Sequence, residues 1–153
     1  MYSRILVPLD GSPTSQRGFD EALALADKLG STLHLLNVVD ARLLIGEVSA
    51  YAPPDQLLED WRAAGDRLLT AAVERARAKG VTADSVVRCD PGYRVCDMIL
   101  REAKDTGAGL IVMGTHGRRG LKRMALGSDA ELVLRESTVP VLLVRGEEAA
   151  NTA

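Results

Sequence analysis

The chain has 153 residues, of which 46% are hydrophobic and 26% are charged, and its formal net charge is −2. A chain of this length and composition is expected to form one domain with its own core over residues 1–146, followed by a tail over residues 147–153. The slightly acidic balance, with only one Trp, three Tyr and one Phe, argues against nucleic acid as the main partner.

The first predicted elements are a strand, a turn and a helix. Residues Ile5 to Leu9 form an apolar run, and Asp10-Gly11-Ser12 ends that run with a turn. Ser12 is predicted to cap the helix, with Pro13 at its first position, because a serine side chain accepts hydrogen bonds from unpaired helix amides. Apolar residues then recur every three or four positions until Gly30, which predicts the end of the helix.

The second strand and the second helix are separated by a long connection. Thr32 to Val39 is too continuously apolar for a one-sided sheet, so a strand covered on both faces is predicted. His34, within it, has no carboxylate or cysteine at a telling spacing and is interpreted as a core or sheet-edge residue. The connection Asp40 to Pro54 is either a flap or a partly helical insert packed on the surface. The helix that begins at Asp55 is predicted to bury one apolar face, made of Leu57, Leu58, Trp61, Leu68, Leu69, Ala72, Val73 and Ala76.

Three further strands complete the pattern. They are predicted at Val81 to Arg88, Leu110 to Met113 and Val139 to Val144, with helices between them. The alternation predicts the α/β class, as a doubly wound five-stranded parallel sheet with helices on both faces. Pro140 has no amide proton, which places it at the start of the last strand or on an edge, and an apolar edge favours a homodimer.

The location of the protein and its redox chemistry are also predicted from the sequence. The chain contains no run of eighteen apolar residues, and it enters a strand pattern directly instead of the core of a signal peptide. We therefore expect a cytoplasmic protein without a membrane segment. Cys89 and Cys96 are too few for a disulfide framework and are interpreted as structural thiols.

A glycine-rich segment from Gly114 to Ser128 follows the fourth strand. Its glycines have no β-carbon, so the backbone can take positive φ, turn its amides towards a ligand and admit an anion closely. Ser128 adds a hydroxyl and is predicted to cap the next helix, whose amino end attracts anions. We interpret the segment as a phosphate cradle. If the first and fourth strands are neighbours, the crevice between them is the expected ligand site.

The glycine spacing excludes two nucleotide motifs and fits a third. A G-x-x-x-x-G-K-[ST] loop does not occur, and the G-x-G spacing of a dinucleotide fingerprint is absent. The pattern G-x2-G-x9-G-[ST] is satisfied between Gly114 and Ser128. Together with the opening Arg4 to Ser12 and the closing Val139 to Val144, it makes the chain resemble the ATP-binding branch of the universal stress protein family.

That resemblance implies a strand order of 3-2-1-4-5, a homodimer through Val139 to Val144, and ATP with magnesium as the cofactor. Asp10 is a candidate magnesium or ribose ligand, or it caps the turn. Asp129 stands where the family often has an uncharged side chain, and it either complements the helix dipole, weakens phosphate binding or brings in a magnesium ion. The nucleotide contacts implied by the family are Pro8, Leu9, Asp10, Val38, Gly114, Thr115, His116, Gly117, Arg118, Gly120, Gly127, Ser128 and Asp129.

The predicted function is nucleotide binding without fast chemistry. Arg118, Arg119, Lys122 and Arg123 either clasp the outer phosphates or form a solvated face. His116 has no evident orienting partner, so it is not assigned as a catalytic base. We therefore expect a regulatory ATP-binding protein with at most slow hydrolysis. The alternatives are an interaction module without a nucleotide, a slow ATPase, or an enzyme of a related nucleotide fold, for which the further motifs are missing.

Overall fold

The computed structural model of the chain describes residues 2–43, 54–116 and 126–146, in which strands and helices alternate. The strands are β1 (Arg4–Pro8), β2 (Thr32–Val38), β3 (Ala83–Arg88), β4 (Leu110–Gly114) and β5 (Val141–Val144). The helices are α1 (Pro13–Leu29), α2 (Pro54–Ala78), α3 (Val95–Thr106) and α4 (Ser128–Glu136). The predicted bounds are therefore right to within a residue or two, which is the usual uncertainty at element ends.

The five strands form one parallel sheet in the order β3-β2-β1-β4-β5. This confirms the predicted fold class and the order implied by the family resemblance. Strand β1 lies between β2 and β4. The connection after β1 leads to β2 on one side, and the connection after β4 leads to β5 on the other side, so the strand order reverses between β1 and β4 at the carboxyl edge of the sheet. That edge is the topological switch point, where ligands of open α/β sheets bind.

Two layers of helices cover the sheet because side chains alternate between its faces. On β1, Ile5 and Val7 belong to a core that includes buried residues of α1 and α2, whereas Leu6 belongs to a second core with α3 and α4. All three side chains are fully buried. Burial on both faces accounts for the apolar runs of the inner strands β1, β2 and β4, whereas the edge strand β3 exposes Asp84 and Ser85.

Helix α2 buries less of its apolar face than predicted. Leu69, Ala72 and Ala76 are buried, but Leu57, Leu58 and Trp61 are only half-buried. The reason is length: a helix of 25 residues is about 37 Å long, whereas a seven-residue strand such as β2 spans about 23 Å. The first turns of α2 consequently extend past the sheet. None of the helices in the described part of the chain is long and apolar enough to cross a membrane.

Candidate functional site

The first arm of the site is the turn between β1 and α1. Asp10 Oδ1 accepts a hydrogen bond from the Ser12 amide at 2.8 Å, and Gly11 between them has a φ of 82°, in the left-handed region. The Ser12 hydroxyl accepts in turn from the Ser15 amide at 3.2 Å, which confirms Ser12 as the N-cap of α1. Asp10 therefore caps the turn, the structural role that the sequence analysis left open beside magnesium or ribose binding.

Leu9 contributes to this arm through its backbone position and not through its side chain. Its side chain is 1% exposed and lies in the core beside β1. Its amide donates to the Leu36 carbonyl at 2.8 Å, and its carbonyl accepts from Asn37 Nδ2, also at 2.8 Å. The buried side chain of Asn37 fits because residue 65 is glycine; a β-carbon there would lie 2.3 Å from Asn37 Oδ1. A polar residue inside an apolar strand was the only sequence signal for this role of Asn37.

The second arm begins at the end of β4, where Gly114 packs directly on α1. A β-carbon on Gly114 would lie 2.8 Å from the carbonyl carbon of Thr14 and 3.0 Å from its Cβ. A β-carbon on Gly127 would lie 3.1 Å from His116 Cα. Neither glycine has positive φ. The predicted positive φ is therefore wrong at both positions, where neighbouring protein atoms exclude a side chain.

Hydrogen bonds bring the two ends of the glycine-rich segment together. The Gly127 amide donates to the Thr115 carbonyl at 2.7 Å, and the Thr115 amide donates to the Val144 carbonyl at 3.0 Å. The Thr115 hydroxyl lies 3.1 Å from His116 Nδ1, so His116 does have a neighbour that orients its ring, which the sequence analysis did not identify. Thr115 and Gly127 therefore lie together beside the ends of β4 and β5.

The N-cap residue of helix α4 lies one position earlier in the sequence than predicted. The N-cap is Gly127, whose carbonyl accepts from the Glu131 amide at 2.9 Å, and Ser128 is the first helical residue. The prediction of Ser128 as the cap is wrong because Gly127 already has the extended φ of −62° and ψ of 148° that an N-cap adopts. The hydroxyl of an exposed Ser128 is consequently not used as the helix cap.

Asp129, in the first turn of α4, is directed towards helix α3. Its Oδ1 accepts from the Cys96 amide at 3.3 Å, in the first turn of α3. The pKa of the Arg42 guanidinium is raised mainly by its hydrogen bond to Asp40, and the nearby negative charge of Asp129 raises that pKa further. Burial raises the pKa of the Cys96 thiol, which keeps it protonated, as expected of a structural thiol. The Asp129 carboxylate therefore meets the positive end of a second helix dipole, in line with the dipole interpretation.

The described residues gather most of the predicted contacts at one edge of the sheet. The last residues of β1, β2 and β4 are Pro8, Val38 and Gly114. Leu9 and Asp10 follow β1, Thr115 and His116 follow β4, and Gly127 to Asp129 form the cap and the first turn of α4. Gly117, Arg118 and Gly120 lie outside the described residues, as do Arg119, Lys122, Arg123, most of the connection before α2 and the tail. Within the described residues, no group of three or more His, Cys, Asp or Glu is suited to hold a metal ion.

The comparisons with known proteins agree with this arrangement. The model of the universal stress protein family matches residues 1–145. The chain belongs to that family. The universal stress protein YxiE of Bacillus subtilis is 36% identical, with 95% of this chain and 100% of YxiE aligned.

Solved universal stress proteins share the fold. A family member from Burkholderia pseudomallei has a TM-score of 0.77 and 34% identity, covering 94% of this chain and 96% of that one. The universal stress protein from Archaeoglobus fulgidus, solved in complex with dAMP, has a TM-score of 0.66 and 19% identity, covering 94% and 98%. Because the sequence identity is only 19%, the similarity to this protein concerns the fold alone.

This universal stress protein also has a buried ionic cluster outside the candidate site. His34, on β2, is 7% exposed; its Nε2 lies 2.8 Å from Glu102 Oε1, and its Nδ1 contacts the Asp84 carboxylate. Arg88 Nε donates to Glu102 Oε2 at 2.7 Å, and Arg4 Nη1 donates to Asp84 Oδ2 at 3.1 Å. The sequence showed no carboxylate at a telling spacing from His34, and the structure supplies two carboxylate partners that are at least fifty residues away in sequence. Its predicted core role is consistent with its burial.

Proposed function

We propose that this protein is an adenine-nucleotide-binding regulator of the universal stress protein family, with ATP as its ligand and at most slow hydrolysis. The observation that carries the proposal is the meeting of two loops at the switch point of the sheet. The turn after β1 and the first residues after β4 lie side by side there, since β1 and β4 are neighbours. A nucleotide bound in that crevice reaches both. The cytoplasmic location stays a prediction from the sequence.

The donor set at the start of α4 fits a phosphate group. Helix α4 begins at Ser128 behind Gly127, an N-cap residue that has no side chain with which to bond the first amides. The first turn of a helix has amides without intrahelical partners, and they attract anions. The carboxylate of Asp129 is engaged with the α3 amino end, which lessens its repulsion of a phosphate. Magnesium is proposed to arrive with the phosphates, with Asp10 as its candidate protein ligand.

Binding without fast chemistry is supported by the surroundings of His116. A general base needs a second group that orients its ring and stabilises its protonated form. Among the described residues, the imidazole ring of His116 has a hydrogen-bonding contact with the Thr115 hydroxyl, which carries no charge. His116 is therefore assigned to positioning the ligand. Phosphate release faster than about one per second, the low end of ordinary enzyme turnover, would contradict this assignment.

A second candidate function is an interaction module of the same fold that binds no nucleotide. It is favoured by the packing at Gly114 and Gly127, because neighbouring protein atoms require glycine at both positions with or without a ligand. The two functions differ in one measurable property. The first requires saturable binding of an adenine nucleotide, and the second predicts none at millimolar ligand.

We expect ATP to bind with micromolar affinity and Ser128→Ala to weaken that binding about tenfold, the effect of losing one hydrogen bond to a charged group. Isothermal titration with ATP, ADP, AMP and cyclic AMP, with and without magnesium, measures both effects. Ser85→Ala is the matched control, because Ser85 is equally exposed but lies on β3, away from the site. Equal affinities for the two variants would remove Ser128 from the site, and no binding by the unmodified protein would favour the interaction module.

We also propose a homodimer through the edge strand β5. The carbonyl of Pro140 accepts from the amide of Ile111 on β4, and that of Val144 accepts from the amide of Thr115 just after β4, so the backbone groups of Val141 and Leu143 point to the open edge. Among the described strands, β5 pairs only with β4. An unpaired apolar edge favours association with a second copy. Sedimentation equilibrium is expected to give twice the 16.4 kDa mass of the chain, whereas a monomer at micromolar concentration would contradict the proposal.

A further inference from the structure

Thr14 is a buried residue to which the sequence analysis gave no role, and it contacts both arms of the candidate site. It is 3% exposed and lies in the first turn of α1, directly after the turn that holds Asp10. Its hydroxyl donates a hydrogen bond to the carbonyl of His116, 102 residues further along the chain. That carbonyl lies two residues after the end of β4, within the glycine-rich segment.

The proton positions around Thr14 follow from its partners. Since the Thr14 hydroxyl proton is donated to the His116 carbonyl, the contact of 3.3 Å between Ser12 Oγ and Thr14 Oγ1 requires Ser12 as donor. The Ser12 hydroxyl at the same time accepts from the Ser15 amide at 3.2 Å. A chain of hydrogen bonds therefore runs from the cap of α1 through Thr14 to the end of β4.

The remaining atoms of Thr14 are also in close contact with the second arm. Its carbonyl carbon and Cβ occupy the space where a side chain on Gly114 would lie, at 2.8 and 3.0 Å from the position of that β-carbon. Its methyl carbon is 3.0 Å from the position that a β-carbon on Gly146 would take. Thr14 thus lies between the ends of β4 and β5.

We propose that Thr14 is a positioning residue that sets the end of β4, and with it the start of the phosphate-binding segment, against the β1–α1 turn. The inference rests on the proposed function, because it gives that site a residue that touches no ligand. The hydroxyl is the essential group: it is the donor to His116. The methyl fills space against Gly146 and is of secondary importance.

The test compares Thr14→Val, which keeps the shape and removes the hydroxyl, with Thr14→Ser, which keeps the hydroxyl and removes the methyl. Thr14→Val leaves the His116 carbonyl and the Ser12 hydroxyl without their partner. We expect ATP affinity to fall on the order of tenfold in Thr14→Val and by less than about threefold in Thr14→Ser, as for the loss of one buried hydrogen bond. Adenosine affinity is expected to change little in either variant, because the segment set by His116 contacts phosphates.

A second readout needs no nucleotide. The Gly127 amide, bonded to Thr115 beside His116, is expected to exchange its hydrogen on the order of tenfold faster in Thr14→Val than in Thr14→Ser. The amide of Ile111, bonded to Pro140 at the other end of β4, is the internal reference and should exchange equally in both. Faster exchange at both amides in Thr14→Val would indicate general loosening and would overturn the positioning role.

The outcomes separate the inference from the proposed function. Binding of ATP by the unmodified protein with no difference between Thr14→Val and Thr14→Ser would overturn the inference and leave the function intact. Equal losses of ATP and adenosine affinity would also overturn it. No ATP binding by the unmodified protein would overturn the proposed function and the ligand role of Thr14, while the exchange rates would still decide whether Thr14 fixes the end of β4.

Discussion

Gly114→Ala is expected to lower the free energy of unfolding by about 3 kcal/mol, at the upper end of the range for overpacking a tight core. The new methyl would meet the carbonyl carbon of Thr14 at 2.8 Å and its oxygen at 3.0 Å. These are backbone atoms of the first turn of α1, so no side-chain rotation relieves the contact. Helix α1 is fixed further by Gly18, where a β-carbon would lie 3.3 Å from the Gly114 amide nitrogen. Relief therefore requires α1 to move away from β4.

Denaturant unfolding of Gly114→Ala beside Gly109→Ala measures this effect. Gly109 directly precedes β4 at its other end, and a β-carbon there would meet Tyr2 at an ordinary 3.5 Å. We expect Gly109→Ala to change stability by less than about 1 kcal/mol, and a small gain is possible because alanine restricts the unfolded chain. A Gly114→Ala protein as stable as Gly109→Ala would show that α1 is not held tightly against β4.

Glu102→Ala is expected to cost about 3 kcal/mol, the lower end of the range for removing one partner from a buried ion cluster. The Glu102 side chain is 5% exposed and holds His34 Nε2 at 2.8 Å and Arg88 Nε at 2.7 Å. Loss of the Glu102 carboxylate removes the hydrogen bonds that join α3 to His34 on β2 and to Arg88 on β3. Arg88 is half-exposed and regains hydration, whereas the buried His34 ring loses its acceptor. That difference between the two partners is why the lower end of the range applies.

Urea unfolding of Glu102→Ala beside Glu74→Ala tests this prediction. Glu74 is an exposed residue of α2, so its replacement is expected to change stability by less than about 0.5 kcal/mol. A cost below about 1 kcal/mol for Glu102→Ala, within the range of exposed ion pairs, would mean that the cluster is solvated in the folded state.

The stability conferred by Glu102 should also depend on pH. Burial opposes ionisation of Glu102, but hydrogen bonds from Arg88 and His34 outweigh it and hold the pKa below its usual value. A carboxyl with a lowered folded-state pKa stabilises the fold above its unfolded pKa, about 4.3. That contribution is lost as the pH falls through the folded pKa. The stability difference between the natural protein and Glu102→Gln should therefore shrink below about pH 4, and a difference independent of pH would contradict the assigned charge.

The element pattern was predictable because its signals are local. Ser12 and Pro13 start α1, Gly30 ends it with a φ of 68°, and the central strands β1 and β4 are apolar runs. These choices depend on a few neighbouring residues and on the period of hydrophobicity. The glycine pattern and its resemblance to the universal stress protein family then supplied the strand order, which periodicity alone does not determine.

The interactions that shape the site were not predictable in the same way. The partners of His34, the packing of Gly114 on Thr14 and the support of Leu9 by Asn37 all join residues far apart in sequence. Spacing arguments failed for each of them. They found no carboxylate at a telling spacing from His34, and they predicted positive φ at Gly114 where contact with Thr14 is what excludes a side chain.

By itself, the sequence determined the number, type and approximate bounds of the elements, because hydrophobic period and turn residues act over a few positions. Only the tertiary structure decided which groups meet at the carboxyl edge, above all the Thr14 hydroxyl and the His116 carbonyl. The physical reason is range. Hydrogen bonds and steric contacts act over a few ångströms, and the parallel β1–β4 pairing brings residues about a hundred positions apart within that distance.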